Sequence, residues 1–89
     1  MKIRYFATLR DVTHKTEEDW ASREATVGDL LRDLGRQYGR EFERWVLENG
    51  KLRLSLVLVN GQDVREQHGL DTPLAPDDTV VFIPPVGGV

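Results

Sequence analysis

Thr79-Val80-Val81-Phe82-Ile83-Pro84-Pro85-Val86-Gly87-Gly88-Val89 closes the chain, and its change of character after Ile83 decides how the rest is read. Thr79–Ile83 is a run of β-formers. Pro84 and Pro85 have no N–H to continue a ladder, and Gly87 and Gly88 carry no side chain. The sequence therefore predicts a last strand from which the chain leaves its sheet at Pro84 and projects as a flexible tail, 84–89. Extended, that tail spans roughly 20 Å, enough to enter a pocket of another protein. A tail used as a substrate is one reading of this composition, and a frayed terminus is the other.

Working outward, Leu52–Val59 alternates at first and is then apolar throughout, which predicts a strand with its second half in the sheet centre, covered on both sides. Asn60-Gly61 follows as a hairpin turn, with a brief return through Gln62, Asp63 and Val64. A long connection, 65–76, carries Leu70 and Leu74 as anchors, and Asp77-Asp78 turns into the last strand. At the other end, Lys2–Thr8 reads as a strand with Ile3, Tyr5 and Ala7 inward and Lys2, Arg4 and Phe6 outward. Phe6 is the apolar exception on that outer face. Leu9–Lys15 is polar apart from Leu9 and Val12 and reads as a hairpin connection to a weak acidic strand, 16–22, anchored by Trp20. Its charges suit a sheet edge.

Between these strands lies the clearest helix. Thr26 is placed to cap it, Asp29 sits in its first turn, and Val27, Leu30, Leu31, Leu34 and Tyr38 recur at helical spacing up to a stop at Gly39. Phe42, Trp45 and Val46 mark a short second helix or packing segment before Asn49-Gly50 turns the chain. The order predicts an α+β domain, 1–83: a mixed sheet of four to five strands on one main helix, with the first and last strands parallel at its centre. No linker or repeat divides it.

Composition narrows the function. The chain holds 12 basic and 15 acidic residues, with the basic ones scattered, so nucleic acid is not an expected partner. No apolar window is long enough to span a bilayer and no signal-peptide run opens the chain, so a cytoplasmic protein is expected, with no membrane partner. Cysteine is absent, which excludes thiolate catalysis, disulfides and cysteine-bound metals. His14 and His68 stand far apart among polar residues, so no metal site is expected. No nucleophile and base are recognisable as a pair, so the chain is expected to be a subunit or protein substrate rather than an enzyme.

Five segments carry a resemblance: Ile3–Arg10, Ala25–Leu31, Val59-Asn60-Gly61, Leu70–Leu74 and Phe82–Gly88. They resemble, over residues 3 to 88, the ubiquitin-like sulfur carriers of the MoaD/ThiS group, and the ending is most like that of the small subunit of molybdopterin synthase. The resemblance implies a β-grasp fold. It also implies a chemistry in which a partner adenylating enzyme of the ubiquitin-activating kind uses ATP and magnesium to join the terminal glycine carboxylate to AMP. Sulfur then replaces AMP as a thiocarboxylate, destined for the large subunit of molybdopterin synthase or another sulfur acceptor enzyme. No cofactor is held tightly by the carrier itself. Gly88 is the implied reacting residue and Gly87 its slender stem, since a Cβ there would crowd a narrow channel.

Val89 departs from the pattern, because such chains end on the second glycine. A trimming peptidase is the expected explanation, with a never-activated paralogue and an end that is not the natural one as the alternatives. Phe6 and Ile83, beside the tail, form with Pro84, Pro85 and Val86 the expected docking surface for partners. The segment from Asn60 to Pro73 also looks like that of the cysteine-forming carriers. Sulfur transfer to cysteine or thiamine synthesis, ubiquitin-like conjugation to target lysines, and an inert β-grasp interaction module therefore stand beside the molybdopterin reading.

Overall fold

The computed structural model describes residues 1–21, 26–54 and 56–85. The first strand, β1 (Lys2–Tyr5), alternates as its sequence predicts, with Ile3 and Tyr5 buried and Lys2 and Arg4 exposed. It pairs in parallel with the last strand, Thr79–Ile83, in the register Lys2 with Thr79 through Tyr5 with Phe82. On its other side it pairs antiparallel with β2 (Glu17–Asp19), the acidic edge strand. Lys2 and Arg4 both reach Glu17 there, at 3.7 and 3.6 Å.

Two expectations for this region are corrected. Ala7 is not an inward strand residue: β1 ends at Tyr5, and Ala7 is exposed with φ 51° and ψ −127°. Residues 9–15 are not a simple hairpin connection either, because Thr8–Thr13 forms a helix, α1. Leu9 and Thr13 share its buried face at i,i+4 spacing. The Thr13 hydroxyl donates to the Leu9 carbonyl at 2.9 Å, which hides a polar group on an otherwise apolar face. His14, at φ 60°, ends the helix by donating its N–H to Arg10.

The main helix, α2 (Val27–Tyr38), begins as its sequence predicts. The Thr26 side chain accepts from the Asp29 N–H at 3.2 Å, and Val27, Leu30, Leu31 and Leu34 are buried. Gly39, at φ 88°, turns the chain directly into α3 (Arg40–Val46), which buries Phe42 and Val46. Then β3 (Leu47–Glu48) and β4 (Lys51–Leu52) fold on one another through Asn49 and Gly50, at φ 53° and 75°. The strand expected over 52–59 is thus divided. Leu52 belongs to this separate ribbon, Leu54 turns fully into the core, and β5 (Leu56–Val59) starts afresh.

The Asn60-Gly61 turn returns the chain into β6 (Gln62–Asp63). Two short 3₁₀ turns, Val64–Glu66 and Gly69–Asp71, follow, and Leu70 and Leu74 pack against the core as anchors. The last strand is β7 (Thr79–Ile83), and the sheet order is β2-β1-β7-β5-β6. The Asn60 side chain donates to Asp78 at 2.8 Å and accepts from the Thr79 N–H at 2.9 Å, which ties that turn to the entry of β7. Among the described residues this is a ubiquitin-like β-grasp with a five-stranded mixed sheet, a separate two-stranded ribbon and three α-helices, one helix more than the pattern indicated.

Tyr5, Phe42 and Phe82 are the largest buried side chains, and edge-on contact of Tyr5 with Phe42 joins the sheet to α3. At the rim of this core the Tyr5 and Tyr38 hydroxyls both donate to Glu18 Oε2 at 2.5 Å, and Lys15 reaches Oε1 at 3.2 Å. The Glu18 side chain is only 11% exposed. Burial alone would raise its carboxyl, but the bonds from Tyr38, Tyr5 and Lys15 outweigh burial and hold it below the usual carboxylate value. Burial, then the bond to Glu18, pushes both phenols up, Tyr5 the further.

Glu18→Ala is expected to lower stability by about 2 kcal/mol in urea unfolding, because it strands the buried Tyr5 hydroxyl. The lowered carboxyl contributes stability that is present above the ordinary value of 4.5 and lost as pH falls below it. The raised phenols contribute stability that is lost as pH rises above 10. Both arms of the stability profile should flatten in the variant.

Candidate functional site

The end of β7 is positioned from both sides. Parallel pairing places Tyr5 beside Phe82, and antiparallel pairing with β5 places Leu56 beside Ile83 and Leu58 beside Val81. Phe82 points into the core, which leaves Ile83 on the opposite face. Phe6, one residue beyond Tyr5, therefore comes to the same end of the sheet as Ile83. At 37% it is the exposed large hydrophobic residue among those described.

Leu56, Leu58, Val81 and Ile83 are all half-buried on the outer face. Double cover of the central strand, expected from its unbroken apolar run, is therefore not met there. The four residues extend the small patch expected from Phe6 and Ile83 into a stripe two strands wide. The missed signal was present in the sequence, since a continuous apolar run fits a strand with one covered face and one half-exposed apolar face as well as it fits full burial.

Lys2 and Arg4 flank the stripe on β1. Around Phe6 the backbone is specialised. The Leu9 N–H donates to the Phe6 carbonyl at 3.2 Å across a tight turn whose second residue is Ala7, in a conformation that suits glycine. The Arg10 guanidinium lies 5.3 Å from the centre of the Phe6 ring and donates through Nε to the Tyr5 carbonyl at 3.2 Å. The ring is thus held outward by a strained turn below it and a cation across its face.

Of the other residues expected to dock partners, Pro84 is buried and Pro85 half-buried. The chain stays against the domain for at least one residue past β7, and Phe6, Ile83 and Pro85 are the described members with accessible surface. Val86, Gly87, Gly88 and Val89 lie outside the described residues. A surface cavity of about 530 Å³ opens elsewhere, beside the start of α2 and the Gly69–Asp71 turn, and its lining includes none of the expected site residues. Arg32 and Arg36, on its wall, are paired with Asp29 and Asp33 at 3.2 and 3.3 Å. Among the described residues no cluster of three or more His, Asp or Glu could hold a metal ion. None of their helices is long and apolar enough to cross a membrane.

Parallel first and last strands, a capped crossing helix and an apolar outer face beside the exit of a Pro-Pro-Val-Gly-Gly segment define a ubiquitin-like protein of the carrier and modifier class. The chain belongs to the ThiS family, whose model matches residues 3–88. It is 37% identical over 90 residues to small archaeal modifier protein 3 of Haloferax volcanii, covering 99% of this chain and 97% of that protein. A chain of the Amycolatopsis orientalis BexX/CysO complex superimposes with a TM-score of 0.81 at 27% identity, covering 99% of this chain and 98% of that one. A Pyrococcus furiosus protein described as molybdopterin converting factor subunit 1 gives 0.75 at 29% identity, covering 96% and 95%.

Ala7→Gly is expected to stabilise the domain by about 1 kcal/mol, because relief of the positive-φ strain exceeds the extra freedom that glycine gives the unfolded chain. Thermal unfolding should read this as a rise of about 4–8 °C.

Proposed function

We propose that this chain is a sulfur carrier whose working group is the Gly88 carboxylate, uncovered by removal of Val89, and that its sulfur goes into the dithiolene of molybdopterin. The observation that carries the reading is the central parallel pairing of β1 with β7, a strand that bears a half-exposed apolar face and is followed in sequence by Pro84-Pro85-Val86-Gly87-Gly88. Membership of the ThiS family supports it.

The chemistry asks little of the carrier. A carboxylate oxygen of Gly88 attacks the α-phosphate of magnesium-bound ATP on an adenylating partner, and pyrophosphate leaves. Hydrosulfide supplied by a partner then attacks the carbonyl carbon, the C–O bond to AMP breaks, AMP leaves with the electron pair, and loss of the sulfur-bound proton leaves a thiocarboxylate. This protein contributes position: a narrow glycine stem carries the reacting carbon into the partner's site, while the face bearing Phe6, Ile83, Leu56 and Leu58 sets the distance and direction. Branching at the Cβ of Val89 would crowd the carbonyl, which is why trimming belongs to the proposal. Absence of cysteine is no obstacle, since the sulfur is held by the main-chain terminus.

A second reading is favoured by the likeness to small archaeal modifier protein 3. The same activated carboxyl, met by a lysine amine in place of sulfur, yields an isopeptide bond. Likeness to the BexX/CysO complex supports sulfur transfer to a different acceptor enzyme.

Intact-mass measurement of the protein recovered from its own cells tests the proposal. Loss of valine together with exchange of one oxygen for sulfur is expected, and an untrimmed chain with an ordinary carboxylate under all growth conditions rejects it. Sulfur transfer to a molybdopterin synthase large subunit in a purified system is the expected acceptor result, and transfer to a cysteine-forming acceptor alone would redirect the reading. Phe6→Asp should slow adenylation by the partner enzyme roughly 30-fold or more, as for an aromatic anchor lost from an interface, read by ATP–pyrophosphate exchange.

A further inference from the structure

The outer face of the sheet is patterned across its strands as well as along them. Arg4 pairs with Glu17 on one side and with Val81 on the other, Val81 pairs with Leu58, and Leu58 pairs with Asp63. Directly paired residues share a face, so one row crosses the outer face in the order Glu17, Arg4, Val81, Leu58, Asp63. Ile83 and Leu56 form the apolar centre of the next row, towards the end of β7. Two apolar columns thus lie side by side, with a cation on one flank and a carboxylate on the other.

Neither flanking charge is fully matched within the domain. Lys2 and Arg4 share the carboxylate of Glu17, at 3.7 and 3.6 Å. Asp63, half-buried in β6, accepts the Arg65 N–H at 2.9 Å, a bond to a neutral donor that leaves its negative charge uncancelled. Such a row is antisymmetric about the line between β7 and β5. A half-turn about that line lays Val81 of one copy over Leu58 of another and Ile83 over Leu56, and it brings Arg4 opposite Asp63 at both ends of the row. The chain is its own complement, with the same residues supplying both sides, as an isologous two-fold contact requires. The rotation also keeps the strands aligned, the arrangement in which sheets pack face to face about 10 Å apart.

We propose that a second copy of this chain covers the outer sheet face, in a two-fold dimer centred on Val81 and Leu58 and closed by Arg4 against Asp63 of the other copy. The size of the face sets its strength. The molecule measures 30 × 25 × 21 Å, and a five-stranded face at usual strand spacings buries on the order of 500 Å² per copy, below the roughly 800 Å² of a standard stable interface. The dimer is therefore reversible, with a Kd on the order of 100 µM. It forms from the folded domain without activation of the tail, so it is independent of the carrier reading, and it covers the face which that reading assigns to partners.

Sedimentation of the full chain between about 10 µM and about 1 mM should show the weight-average mass rising by up to twofold, and a monomer throughout overturns the proposal. In a mixture of carbon-13-labelled and unlabelled protein, isotope-filtered NOEs should connect Val81 with Leu58 and Ile83 with Leu56 between copies. Contacts confined to other surfaces overturn it. Charge exchange supplies a second arm. Arg4→Asp alone and Asp63→Arg alone should each weaken the dimer roughly tenfold or more, because each sets like charges opposite one another at both ends of the row. An equal mixture of the two variants should restore it as a heterodimer, since opposite charges then meet again at both ends. A mixture no tighter than either variant alone overturns the proposed geometry. Asp63→Asn, which keeps an acceptor for the Arg65 N–H and removes only the charge, should weaken the dimer several-fold with an unchanged circular dichroism spectrum. Undiminished association of that variant overturns the Arg4–Asp63 contact.

Discussion

Parallel pairing of the two end strands is the constraint on which this structure depends. Parallel neighbours cannot be joined by a tight turn, so everything between Tyr5 and Thr79 is a crossover that has to return to the middle of the sheet. That return is covered by α2, whose buried leucines close over Tyr5 and Phe82. It also places both ends of the last strand inside the sheet, with β1 on one side and β5 on the other. The origin of the segment that follows Ile83 is therefore fixed from both sides. An edge strand would fix its origin far less firmly.

Two polar arrangements maintain this frame at its margins. Glu18 gathers Tyr5, Tyr38 and Lys15, and so connects the central strand, the edge strand and α2 through one carboxylate. Its bonds satisfy a buried phenol that would otherwise oppose folding. Asn60 performs a similar service at the opposite end of the sheet, joining the β5–β6 turn to Asp78 and Thr79. Strain is concentrated elsewhere, at Ala7. An alanine in a glycine-like conformation next to the exposed Phe6 shows that local stability is given up where the chain holds an apolar ring outward.

Much of this was legible from residue order. Alternation at the start of β1, the β-former run of β7, the Thr26 cap, the leucine stripe of α2 and the Asn60-Gly61 turn each follow from short-range sterics and solvation, and each formed as its pattern predicted, although β1 stops at Tyr5. Short elements were less legible. The helix Thr8–Thr13 has one buried face of two residues, too few to register as a period, and it owes its existence to packing against the core. The division of 52–59 is similar, since Leu52 and Leu56 look alike in sequence but pair with different partners. For the candidate site, Phe6 and Ile83 could be named from alternation, whereas Leu56, Leu58 and Val81 became visible only when β5 and β7 were laid side by side.

By itself, then, the sequence determined the fold class, the central strand pair and the absence of thiol chemistry, because propensity, alternation and the lack of any cysteine are local or compositional properties. Tertiary structure decided which apolar residues form the outer face, that Lys15 is tied to Glu18 and Tyr38 while Lys2 meets Glu17, and that Pro84 is buried against the domain. Those outcomes depend on which side of a strand its neighbours cover and which carboxylate a folded loop brings within reach. Both are set by contacts between residues far apart in the chain, and no local pattern encodes them.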